Sequence, residues 1–434
     1  MSAPRISVLM PAYNASATIA KAVESVLAQS CDDWELIIVD DGSDDGTAEV
    51  VRRFDDPRIR LLKQPRQGVA AARNRAFEAS RGDLLAFLDA DDRFAPEKLA
   101  VQAELLDRRP EVGSVYCAHR RVDLDGVPWT LQAPPWEVGF RELLLGFPFN
   151  PSAQMVRRSW HERSGGFLPG LALHEDRDYW LRLSAAGCRF VRAPGVLADY
   201  RLGPPKPVSD PEATARQALD VLDRGLGLEP AVAVSLEERT RARAEIFREW
   251  GFQAAVSRHP DAASLFAEMA SLTPDLLENP RRRDEFLQAV VDLSVRARGE
   301  HKPLLDAVFA ALPGALAAFQ EDRDWAAGCG ALLHGARELF WDRQDAARPA
   351  LDRARALGAR LDERTSNLLR YDLSQLADAL PAGELEAVRA RLFPALAAAT
   401  SQAQVDAFLG SAGAQDPWTR AARRVRSWLG GARA

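Results

Sequence analysis

Cysteine is scarce in this chain: Cys31, Cys117, Cys188 and Cys329 are scattered through 434 residues with no paired spacing. That excludes a disulfide framework and a zinc site, and reads as small core residues in a reducing compartment. No apolar run approaches the roughly 20 residues a membrane-spanning helix needs. There is no excess of positive charge either. A net charge of -6 is mild and of the wrong sign for a nucleic-acid partner. Met1-Ser2-Ala3-Pro4-Arg5 runs straight into an apolar segment with no signal peptide, so the expectation is a cytoplasmic protein. What is present is length enough for two or three domains and an apolar half large enough to fill their cores.

Two grammars divide that length. Up to about Leu202, short apolar runs alternate with helical patterns. Ile6 to Met10 is the first predicted strand, followed by a loop, Pro11-Ala12-Tyr13-Asn14, and a helix with Ile19, Val23, Val26 and Leu27 on one face. Leu36 to Val39, Ile59 to Leu62, Leu84 to Leu88 and Ser114 to Val122 continue the series. Uninterrupted apolar runs of this length suit strands buried on both faces, and strands alternating with helices predict a mainly parallel sheet in an α/β fold.

Gly203-Pro204-Pro205-Lys206-Pro207 then breaks the pattern, and Ala, Leu and Arg at helical spacing take over. Ser235 with Glu238 forms a capping box that opens a long helix toward His259. The segments His259–Leu265 and Arg343–Pro349 look alike. The likeness fits tetratricopeptide-type helix pairs, and a non-repetitive helical bundle fits equally well. A helix from Trp418 would align Trp418, Ala422, Val425 and Leu429, with Arg420, Arg423, Arg424 and Arg426 elsewhere. Such a helix suits an anionic membrane surface or docking on its own bundle.

Ligands of parallel sheets bind outside the carboxyl ends of the strands. Two acidic clusters fall there: Asp40-Asp41 and Asp89-Ala90-Asp91-Asp92. Alternating residues of an extended strand point the same way, so Asp89 and Asp91 can aim two carboxylates at one point, and a hard divalent cation carrying a phosphate substrate relieves their repulsion. Asp91 is the expected metal ligand, and Asp92 the cap of a following helix. Tyr13 offers an aromatic face and Asp40 an acceptor for a ring N–H, a pair that fits a purine or pyrimidine; ordinary packing and turn capping are the plain alternatives. Arg73, in the first turns of a small-residue helix after Gly68, suits a phosphate, or is merely solvated. Glu175 and Asp176 stand where a helix begins, where the helix dipole favours the anion a general base must be. Gly165-Gly166-Phe167 upstream supplies a loop able to shape an acceptor pocket.

Taken together, Val8-Leu9-Met10-Pro11-Ala12-Tyr13-Asn14, Val39-Asp40-Asp41-Gly42-Ser43, Ala72-Arg73-Asn74, Asp89-Ala90-Asp91, Gly165-Gly166-Phe167 and Glu175-Asp176 resemble the family 2 glycosyltransferases. The resemblance runs from Ile6 to about Tyr200. It implies the GT-A fold, a Rossmann-like nucleotide-diphospho-sugar transferase with a mixed, mainly parallel sheet, followed here by an all-α region. It implies an inverting transfer from a nucleotide diphosphate, most commonly UDP, to a glycan, lipid-linked or protein acceptor in bacterial surface polysaccharide synthesis. Pro11, Ala12, Tyr13, Asn14, Asp40 and Asp41 then lie on the base side and Arg73 on the diphosphate side. Asp89, Ala90 and Asp91 serve ribose and a Mn²⁺ or Mg²⁺ ion, Asp176 is the catalytic base, and Glu175 and Gly166 serve the acceptor side. Ala76 stands where many members carry glycine, and Tyr200-Arg201-Leu202 lacks a histidine that often follows.

The expected division is 1–205 for the transferase domain, 206–212 for the linker, 213–415 for the helical domain and 416–434 for the basic helix. The helical domain offers a surface for self-association, and the basic helix a contact with the inner face of the cell membrane. Two other functions share features of this pattern: a nucleotide-binding scaffold acting through its helices, and a sugar nucleotidyltransferase. The latter wants a glycine- and arginine-rich loop where Pro11-Ala12-Tyr13-Asn14 stands.

Overall fold

A computed structural model describes residues 3–146, 148–171, 173–202, 209–228, 234–296 and 301–410. The stretch Gly203-Pro204-Pro205-Lys206-Pro207 and the segment 416–434 lie outside the described residues. The chain divides into two compact units: Met1–Gly126, Gln132–Leu202 and Ala213–Arg243 in the first, Val127–Leu131, Gly203–Glu212 and Ala244–Ala434 in the second. Residues 213–243, expected with the helical domain, therefore belong to the first unit. The reason is local packing. At Gly225 the helix Pro211–Leu228 closes on Leu144 and Leu181, the Leu173 N–H donates to Gln217 Oε1 at 3.1 Å, and Arg141 pairs with Glu238.

The first unit is built on a mixed sheet. Along its path the strands are Ile59–Lys63, Trp34–Asp40, Ile6–Ala12, Leu84–Phe87, Met155–Arg157, Ser114–Val122, Phe190–Arg201 and Arg93–Phe94. The first four are mutually parallel. Met155–Arg157 runs antiparallel between Leu84–Phe87 and Ser114–Val122. Ile6–Ala12 and Trp34–Asp40 are buried at every position, which is why their sequences show no polar alternation. The helix Val69–Ala79 lies on these two strands, and its buried Ala70, Ala72 and Ala76 permit the approach.

Two strand ends differ from expectation. Pro11 and Ala12 pair with Val39 and Asp40, so both belong to the strand and the loop starts at Tyr13. Leu84–Phe87 stops short of the acidic cluster. Asp92 N–H donates to the Asp89 carbonyl at 3.0 Å, closing a turn over Asp89-Ala90-Asp91. Strand alternation therefore does not aim Asp89 and Asp91 together.

From residue 244 onward the second unit is helical throughout its described residues. The capping box is present at the start of Leu236–Val256: Glu238 accepts from the Ser235 N–H at 3.0 Å, and Ser235 Oγ from the Glu238 N–H at 3.2 Å. The two look-alike segments share a turn. Arg258 and Asp342 both take positive φ, and the next residue's N–H returns to the carbonyl five residues earlier, His259 to Ala254 and Arg343 to Glu338. This is a Schellman closure with a non-glycine residue in the left-handed position. Gly251 and Gly335, at matching places before the two turns, each lie where a Cβ would strike the facing helix, at Phe266 and Leu351. Three of the four cysteines are buried and Cys31 is half-buried; all are free thiols.

Candidate active site

Parallel strands deliver Tyr13, Asn14, Asp40 and Asp41 to one end of the sheet. Asp40 is buried, with Oδ1 accepting from the Ser43 N–H at 2.9 Å and Oδ2 at 3.8 Å from Lys63 Nζ. Asn14, at φ 47, is committed to the neighbouring loop: its N–H donates to Ser43 Oγ at 3.0 Å and its Oδ1 accepts from the Asp44 N–H at 3.1 Å. Asp41 is engaged by the protein itself. Its carboxylate accepts from Gln64 Nε2 at 2.7 Å and from the Gln67 and Gly68 N–H groups, both at 2.8 Å. Two consecutive acids point to opposite sides of the chain end, so Asp40 faces the loop of Ser43 and Asp41 the loop that opens Val69–Ala79.

Arg73 is buried on that helix. Rather than reaching out to a phosphate, it spends one terminal nitrogen on Asp89 Oδ1 and the other on Glu175 Oε1, both at 2.6 Å. Acids from distant stretches of chain, Asp89 and Glu175, thus meet on one guanidinium, the planar fork suited to two carboxylates. Asp176, next to Glu175 at the start of the helix Glu175–Ala185, joins the same group. Burial first, and then the Glu175 charge, raise its carboxyl to about 7, with Arg73 offsetting only part of this. The helix dipole alone predicts a fully ionised Asp176; desolvation overrides it, because Arg73 is already shared by two other acids. A carboxylate poised near neutrality is well matched to general base catalysis.

The turn bearing Asp89 and Asp91 is clamped from below. Asp92 is buried and does not cap the following helix. It accepts from Ser152 Oγ at 2.5 Å and from the Arg201 N–H at 2.7 Å, while Arg201 Nε donates to the Asp91 carbonyl at 2.8 Å. Ser152 Oγ also accepts the Asp89 N–H at 3.0 Å. Burial, followed by the Asp91 and Asp89 charges, holds the Asp92 carboxyl well above the usual range. Ala90 is buried in the turn, and Asp91 lies on its exposed side. Among the described residues no three His, Cys, Asp or Glu gather as a metal cage. Magnesium-type sites commonly use one or two carboxylates and complete their shell with substrate phosphates, a donor set that Asp91 and Asp89 fit.

Gly166 takes φ 75, and a Cβ there would sit 2.8 Å from Asn74 Oδ1. Asn74 holds this loop through two bonds to Phe167: Nδ2 donates to its carbonyl at 2.7 Å, and Oδ1 accepts its N–H at 2.9 Å. Arg73 and Asn74, adjacent in sequence, therefore tie the helix Val69–Ala79 to the acidic cluster and to the glycine loop respectively. Asn74, Ser152 and Arg201 are positioning residues that motif reading did not single out. Asn74 carried a signal as the residue after Arg73 and Arg201 as the residue after Tyr200, whereas Ser152 carried none.

Residues 7–165 match the family model described as Glycosyl transferase family 2. The putative teichuronic acid biosynthesis glycosyltransferase TuaG of Bacillus subtilis is 34% identical over 205 residues, 46% of this chain and 79% of that protein. The UDP-Glc:alpha-D-GlcNAc-diphosphoundecaprenol beta-1,3-glucosyltransferase WfgD of Escherichia coli is 42% identical over 102 residues, 23% of this chain and 40% of that protein. The crystal structure of S. aureus TarS 1-349 is 17% identical and covers 81% of this chain and 91% of that one, with a TM-score of 0.46.

Proposed function

The chain belongs to glycosyltransferase family 2, and on that premise we propose that it inverts configuration while moving a hexosyl or N-acetylhexosaminyl group from a UDP-sugar to an acceptor hydroxyl. The acceptor in this reading is a growing surface polysaccharide or glycoconjugate, an assignment supported by what TuaG and WfgD are named for. One observation supports the mechanism: Arg73 bonds both Asp89 and Glu175, with Asp176 beside them, and this reading assigns Asp89 to the donor and Glu175 to the acceptor.

In this mechanism Asp40 and Tyr13 orient the base and Asp89 the ribose. Asp176 accepts the proton of the attacking hydroxyl as the nucleotide diphosphate departs from the opposite face of the anomeric carbon. Arg73 keeps the two acids at a fixed separation, so that acceptor and donor meet in line. Asp91 and Asp89 would hold a Mg²⁺ or Mn²⁺ ion, which would supply charge stabilisation for the leaving diphosphate. The Asn74-held glycine loop borders the acceptor.

The test is release of nucleotide diphosphate by the full chain, with Mn²⁺ and a panel of nucleotide sugars, with and without polyprenyl-diphosphate-linked acceptors. A uridine donor turned over faster with acceptor supports the proposal; no release from any donor rejects it. No described helix is long and apolar enough to cross a membrane. The proposal places the enzyme in the cytoplasm, with 416–434 meeting the anionic inner face of the membrane. Vesicle binding left unchanged by removal of residues after Asp416 rejects that contact. Light scattering checks for self-association through the helical unit.

A further inference from the structure

Tyr13 and Arg66 reach toward each other from two separately anchored loops. The guanidinium carbon of Arg66 stands 3.7 Å from the centre of the Tyr13 ring. Both side chains are exposed, Tyr13 at 39%. Their backbones, in contrast, are fixed. Asp41 grips Gln64 on one side of Arg66 and Gln67 and Gly68 on the other. Asn14 ties the residue after Tyr13 to the loop of Ser43 and Asp44. Among the described residues no carboxylate pairs with Arg66, so the aromatic face is the partner its guanidinium has.

A guanidinium and a phenol ring are also the two kinds of plane on which nucleobases stack. At 3.7 Å the pair encloses nothing. Opening it needs only side-chain rotation about anchored backbones, and the opened pair presents two planar groups at the sheet end that carries Asp40. We propose that Arg66 is the second jaw of a nucleobase slot: its guanidinium leaves the Tyr13 ring as the nucleotide enters and closes over the far face of the base. This rests on the nucleotide-diphosphate donor proposed above. It adds that Arg66 recognises the base by stacking, not the diphosphate by charge. Lysine carries the same charge without the plane, and phenylalanine the plane without the charge.

The experiment is equilibrium binding of UDP and uridine, with GDP and guanosine as a second pair, to wild type, Arg66→Ala, Arg66→Lys and Arg66→Phe. Melting temperatures equal to wild type confirm folding of the variants. The expected result is that Ala and Lys weaken diphosphate and nucleoside by the same factor, about 5- to 100-fold, the range usual for loss of one stacking group. Phe should stay close to wild type. Three results overturn the jaw: unchanged or tighter binding by Arg66→Ala, affinity preserved by Lys but not Phe, or a loss confined to the diphosphates. Wild type binding none of the four compounds rejects the donor reading itself, and the jaw with it.

Discussion

Each unit of this protein buries an arginine between two carboxylates, Arg73 with Asp89 and Glu175 in the first, Arg337 with Asp372 and Asp292 in the second. Around Arg337 both carboxylates hold a guanidinium nitrogen, Asp292 from a part-exposed position and Asp372 from a buried one, where burial raises its carboxyl. Asp372 receives Nε at 2.7 Å and a terminal nitrogen at 3.0 Å, and Asp292 receives the same terminal nitrogen at 2.7 Å. The adjacent Glu338 has partners of its own. Burial opposes its ionisation, but hydrogen bonds from His334 and Arg343 pull it down to about 2. Around Arg73 there is one acid more than the arginine can serve, and Asp176 is pushed up to about 7. The same building block makes a strut where both carboxylates hold a guanidinium nitrogen, and a titrating group where a third carboxylate is left without one.

The comparison breaks most sharply at the surplus acid. Asp176→Asn should lower kcat about 1000-fold, inside the range general acid–base groups contribute, while the donor dissociation constant holds. Glu338→Gln, its counterpart beside Arg337, should lower the melting temperature and leave turnover per folded molecule unchanged. Equal losses of turnover in the two variants would erase the distinction. Next come the arginines themselves. Arg73→Met and Arg337→Met each strand a buried acid, Glu175 and Asp372 respectively, and should cost about 3–5 kcal/mol in urea unfolding. The Arg73 variant should also lose turnover at temperatures where it remains folded, and the Arg337 variant should keep it.

A smaller effect concerns stability against pH. The folded state holds a proton on Asp176 up to about 7, whereas an unfolded aspartate releases it near 4. Between these values the folded chain binds more protons, so this group's contribution to stability falls as pH rises. Asp176→Asn should therefore melt higher than wild type at pH 8 and gain less at pH 5, read by scanning calorimetry. A constant difference across that window would place the titrating proton elsewhere.

Much of the first unit was legible because burial on both faces leaves a plain mark. Leu36-Ile37-Ile38-Val39 admits no polar residue and is a strand at every position. Met155–Arg157 left no such mark: three residues carry no periodicity, and its antiparallel pairing depends on neighbours far away in sequence. The acidic motifs were legible as a set but not in their division of labour. Nothing local distinguishes Asp40 from Asp41, or Asp91 from Asp92; in each pair the second acid is tied to a distant loop or strand. Arg73 illustrates the same limit. Its neighbours along the chain suggest a phosphate, and its neighbours in space are two carboxylates.

The most direct measurement is kcat/KM against pH for wild type and Glu175→Gln. The rising limb of wild type should fall near 7, since Asp176 must lose its proton to act as base. Removing the Glu175 charge takes away a repulsion and releases Arg73 toward Asp176, so the limb should move to lower pH. A limb that stays in place, or a profile flat from pH 5 to 9, would contradict the assignment of Asp176 as the base in this cluster.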